Sequence, residues 1–96
     1  VNQLTQSVAL QYAAQGIRCN AVMPGVMNPP LIKQQISSQY ESEADLIRAR
    51  DAVCPMGHMG TAWDIAHASV FLASSQAQYI TGVVLPVDGG HAASPV

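Results

Sequence analysis

Apolar residues follow two different periods along the chain. Over 1–15 they recur at helical spacing, with Val1, Leu4, Val8 and Tyr12 on one face. Leu10, Ala13 and Ala14 carry apolar character round the back, and Gly16 stands where a left-handed residue ends a helix. The period then drops to two. Ile17, Cys19 and Ala21 alternate with Arg18, Asn20 and Val22, which predicts a strand from Ile17 to Met23 that Pro24-Gly25 breaks. Helical spacing returns from Ala62 to Ala73, where Ile65, Ala66, Ser69, Val70 and Leu72 form the buried side. Thr61 is its expected N-cap, with Asp64 as the acidic capping-box partner. Gly82 to Val87 reads as a second strand, apolar on both faces as parallel strands are. Pro86 cannot donate to a ladder, which places that strand at a sheet edge.

Between these elements the chain turns polar. Asn28-Pro29-Pro30 forbids regular structure, and a helix is expected over Glu43 to Arg50 with Leu46 and Ile47 as its apolar edge. Asp45 and Arg48 are spaced to pair on it. The stretch 31–60 is a long excursion between sheet elements, the kind of segment that serves as a lid or substrate loop. The order helix, strand, excursion, helix, strand is one βαβ crossover with a helix in front, so the two strands should be parallel. Two strands make no independent sheet of this kind, and the missing strands are expected before Val1.

Composition sharpens this picture. Of 96 residues, 49% are apolar and only 10% charged, against roughly 25% charged in ordinary domains. The first helix carries no charge at all. Much of the surface is therefore meant to be covered by more protein. A net charge of −2 without a basic run argues against nucleic-acid binding. No apolar stretch reaches the roughly 20 residues of a membrane span. Cys19 and Cys54 are far apart and read as reduced thiols, in keeping with a cytoplasmic location. His58 and His67 lack metal-pair spacing, so no metal is expected. Ligands of open α/β sheets bind beyond the carboxyl ends of strands, which directs attention to the loop after Met23.

Three blocks, QYAAQGIRCNAVMPG, PMGHMGTAWDIAHASVFLASSQAQYITG and VLPVDGG, occur in this order. Together they resemble the C-terminal portion of short-chain dehydrogenases/reductases. The resemblance implies a Rossmann-type doubly wound parallel sheet, an α/β fold of which residues 1–96 supply the last two strands and their helices. It implies NAD or NADP as cofactor and interconversion of a small-molecule alcohol and carbonyl by hydride transfer. The family's glycine-rich loop, catalytic Ser and Tyr-x-x-x-Lys motif would lie upstream, so no catalytic residue is expected here. Tyr12, Tyr40 and Tyr79 have no Lys four residues on. Carried over by position, Pro24, Gly25 and Val26 resemble the turn against the nicotinamide. Gly25 lets the backbone approach the ring, and Val26 supplies backbone groups for the carboxamide. Pro29 stands where the family often has Thr, with Asn28 as an alternative polar group. Leu31, Met56, His58 and Met59 are the substrate-lid candidates. The resemblance further implies a homotetramer, with Trp63 in position to meet a neighbouring subunit. The alternative is a truncated, non-catalytic chain acting as an assembly module.

Overall fold

The computed structural model describes residues 2–27 and 43–94. Among them are helix α1 (Asn2–Tyr12), strand β1 (Ala21–Pro24), helix α2 (Glu43–Val53), helix α3 (Ala62–Ala73) and strand β2 (Val84–Val87). A short 3-10 turn extends α1 over Ala13–Gln15, and Gly16 follows in the left-handed conformation at φ 80°. The strands are parallel, paired from Ala21 opposite Val84 to Pro24 opposite Val87. The βαβ order and parallel pairing thus follow the sequence pattern, and α3 packs against both strands.

The ladder shows why Pro86 is tolerated. Ala21 N–H donates to Val83 C=O (2.9 Å) and Gly25 N–H to Val87 C=O (3.1 Å). In a parallel pair, the odd-numbered residues of β2 therefore face β1 with their polar groups. The N–H that Pro86 lacks would point to the other side.

Both strands are shorter than the alternation predicts, because side chains take over part of the ladder before Ala21, where Gly82 N–H still donates to Cys19 C=O (2.8 Å). Thr81 Oγ1 accepts from Cys19 N–H (3.1 Å). Asn20 bridges the opposite segment, donating to Ile80 C=O (3.1 Å) and accepting from Val83 N–H (3.0 Å). Arg18 donates to the carbonyls of Leu72 (2.7 Å), Ser74 (3.2 Å) and Ile80 (3.3 Å). The last carbonyls of α3 have no partner within the helix, so this cation closes its end.

Helix α1 turns part of its expected face inward, with Val8 and Tyr12 half-buried. Thr5 and Ala9 are buried, whereas Leu4 and Leu10 are 66% and 81% exposed. Small side chains one turn apart let the helix approach Gly82, where an added β-carbon would sit 3.6 Å from that of Ala9. On α3, Leu72 is buried and Ile65 and Ala66 half-buried, but Ser69 and Val70 are exposed. The apolar residues left uncovered include Trp63, Phe71 and Tyr79.

Helix α2 runs three residues past its expected end at Arg50. Leu46 is wholly buried and forms a small core with Cys54 and Met59, against which Val26 and Ile47 pack. Asp45 pairs with Arg48 as its spacing predicts. Asp51, the last charge of this segment, ties the helix to the return segment: Oδ1 accepts from Met59 N–H (2.9 Å). No helix among the described residues is long and apolar enough to cross a membrane.

Candidate functional site

Strands β1 and β2 end side by side, and three backbone segments meet beyond them. The first is Pro24–Met27, leaving β1. The second is 54–60, the return from α2. The third is 88–91, the turn after β2.

Gly25 belongs to the first segment. An added β-carbon would lie 2.5 Å from Asp88 Cβ and 2.7 Å from Asp88 Cα. The close approach that requires glycine here is thus to the turn after β2. Val26 follows, its side chain in the α2 core and its C=O accepting from Gly60 N–H (3.1 Å). Met27 and Gly60 form a parallel bridge. The Val26 N–H meets no acceptor among the described residues. Of the sequence-predicted cofactor residues, Pro24, Gly25 and Val26 are therefore consecutive at the carboxyl end of β1. Asn28 and Pro29 lie outside the described residues.

The lid candidates separate. Met56 and His58 are exposed and line a hollow of about 250 Å³ with Met27, His67 and Asp88. His58 Nδ1–H donates to Met59 C=O (3.0 Å). Met59 is instead buried beside Leu46 and Cys54, so its side chain supports the return segment from below. Leu31 lies outside the described residues. No group of three or more His, Cys, Asp or Glu among the described residues is placed to hold a metal.

Asp88-Gly89-Gly90 makes the turn after β2, and the Asp88 carboxylate shapes it. Oδ2 accepts from Ala92 N–H (2.8 Å) and Oδ1 from Gly90 N–H (3.0 Å). The Ala92 N–H chiefly holds the Asp88 carboxyl below its ordinary pKa, against partial desolvation; the Gly90 N–H and the His91 charge act the same way. The signal available in the sequence was an acidic residue directly before two glycines. For Arg18 it was a single cation in an apolar strand.

Residues 1–92 match the family model described as Enoyl-(Acyl carrier protein) reductase. A 3beta-hydroxysteroid dehydrogenase of Eggerthella lenta is 42% identical over 95 residues, 99% of this chain and 34% of the relative. Among solved structures, ElxO with NADP bound superposes with a TM-score of 0.84 at 32% identity, over 97% of this chain and 36% of that one. A C-terminal deletion mutant of the aldohexose dehydrogenase of Thermoplasma acidophilum superposes with a TM-score of 0.88 at 36% identity, over 97% of this chain and 42% of that one. The chain spans about a third of the length of the curated relative. The blocks of sequence, the parallel pair and these matches agree: the chain belongs to the short-chain dehydrogenase/reductase family.

Proposed function

We propose that residues 1–96 are the C-terminal part of one NAD(P)-binding domain, in an oxidoreductase that interconverts a small-molecule alcohol and a carbonyl. The observation that carries this reading is the loop at the carboxyl end of β1, where the Val26 N–H beside Gly25 meets no acceptor among the described residues. It gains support from the likeness to ElxO, a protein solved with NADP bound. In this reading Pro24, Gly25 and Val26 lie along the nicotinamide, with the Val26 N–H donating to its carboxamide oxygen. Asn28 and Pro29 continue that contact. When bound, the nicotinamide gives or accepts the hydride. Proton transfer to the substrate oxygen belongs to residues upstream of Val1, as the family resemblance implies.

The segment 31–60 then shapes the substrate side, with Leu31, Met56 and His58 as contacts and Met59 as their buried support. The uncovered Leu4, Leu10, Trp63 and Tyr79 are to be met by the rest of the domain and by neighbouring subunits of a cytoplasmic homotetramer. Sedimentation of the full-length protein as a monomer at micromolar concentration would contradict the tetramer.

The test is a fluorescence titration with NADH and NADPH, together with a panel of carbonyl substrates. The full-length protein should bind one dinucleotide at micromolar concentration and reduce a carbonyl, and the isolated chain should do neither. Full-length protein inert in both assays would favour the alternative, a non-catalytic assembly module.

A further inference from the structure

We propose that Asp88 is a positioning residue for the dinucleotide site, acting on the Gly25 loop through the turn it caps. The proposal rests on the cofactor reading of that loop. With both carboxylate oxygens accepting N–H groups of Gly90 and Ala92, and its own C=O accepting from His91 N–H (3.2 Å), Asp88 holds the turn in one shape. That shape needs φ of 62° at Gly89 and 93° at Gly90, conformations that side-chain-bearing residues rarely adopt. It aims Gly89 C=O at Met56 N–H (3.1 Å) and lets His91 Nδ1–H donate to Val53 C=O (3.3 Å).

On its other side Asp88 is in contact with Gly25. The Val26–Gly60 hydrogen bond closes the circuit. The three segments therefore form a ring in which Asp88 touches the first and, through Gly89, fixes the second. Gly25 has no side chain to anchor it, so a loosened turn is felt first there, next to the donor N–H of Val26.

The experiment compares full-length wild type with Asp88→Ala and Asp88→Asn by amide hydrogen exchange, melting temperature and NADH or NADPH titration. Asp88→Ala should speed exchange at the Met56 and Gly60 amides about tenfold and raise the dinucleotide Kd about tenfold. Asn keeps one acceptor oxygen, so Asp88→Asn should raise Kd only about threefold over wild type. A merely structural role would lower the melting temperature and leave Kd unmoved, which overturns the proposal, as does unchanged exchange. Should Asp88→Ala fail to fold, Asp88→Asn decides: a Kd equal to that of wild type overturns the proposal, and a rise of about threefold supports it. Wild-type protein that binds no dinucleotide overturns the functional reading and this proposal with it. Normal wild-type binding with unmoved variants overturns this proposal alone.

Discussion

Asp88 stands so close to Gly25 that a β-carbon on the glycine would lie 2.5 Å from its Cβ and 2.7 Å from its Cα. The contact joins the loop after β1 to the turn after β2, and it explains the glycine before any ligand is considered. Both neighbouring atoms belong to a residue fixed by its own hydrogen bonds. Neither can swing away as the tip of a flexible side chain can.

Gly25→Ala is therefore expected to force the two segments apart. Overpacking of this kind costs about 1–3 kcal/mol, and the melting temperature of the full-length protein should fall accordingly. Gly60→Ala is the control. Its added carbon would meet Met27 Sδ at 2.9 Å and Met27 Cε at 3.0 Å, atoms at the end of a flexible chain. It should cost less than Gly25→Ala. Equal losses would show that the contact with Asp88 is not the constraint.

Arg18 supplies the second prediction. Its guanidinium donates to three carbonyls at the end of α3 and the segment before β2. Arg18→Ala leaves those carbonyls without a cation, for a loss of about 2–3 kcal/mol in denaturant unfolding. Arg18→Lys should recover only part of it, because an ammonium cannot span the same fork of acceptors. Full recovery with Lys would mean that charge alone matters there.

How much of this was legible in the sequence depends on which physical effect decided each feature. The parallel pair, the start of α3 at Thr61 and the left-handed Gly16 follow from periodicity and capping chemistry, which are local. The face of α1 follows only in part, through the half-buried Val8 and Tyr12. Leu4 and Leu10 are the stronger hydrophobic signals, yet Thr5 and Ala9 go inward because a small face permits close approach to Gly82. That choice depends on a residue more than seventy positions away. Asn20 and Thr81 replace ladder bonds with side chains, which shortens both strands; alternation cannot register it. The loop that Pro24, Gly25 and Val26 form at the end of β1 was legible as the break in alternation after Met23. The partner that makes Gly25 necessary was hidden, since Asp88 meets it only after the crossover brings the strands together.

The start of α3 offers a finer test. Asp64 Oδ2 accepts from Thr61 N–H (2.8 Å) and lies 3.3 Å from the Thr61 hydroxyl, while Asp64 N–H donates to Thr61 C=O (3.0 Å). The carboxylate thus reaches back to the backbone, and the threonine side chain is secondary. Asp64→Ala should cost about 1 kcal/mol, and Thr61→Ala less, because alanine retains the N–H that Asp64 binds. Thermal unfolding of the two variants in the full-length protein decides the order. A larger loss for Thr61→Ala would place the capping on its hydroxyl.

Acid should act on the turn after β2 through Asp88. Its carboxyl lies below the ordinary value of 3.8, chiefly because the Ala92 N–H donates to it, helped by the Gly90 N–H and the His91 charge. A carboxyl with a depressed folded-state pKa stabilises the fold above its unfolded value, about 3.9, and loses that contribution as pH falls through the folded value. Stability should therefore rise with pH across this window and be level above it. Asp88→Asn cannot titrate, so the difference in melting temperature between wild type and this variant isolates the group. The difference should close as the pH falls below about 4. A gap that widens on acidification would mean that the neutral acid fits the turn better than the carboxylate. The Gly90 and Ala92 N–H groups, both aimed at its oxygens, argue for the opposite order.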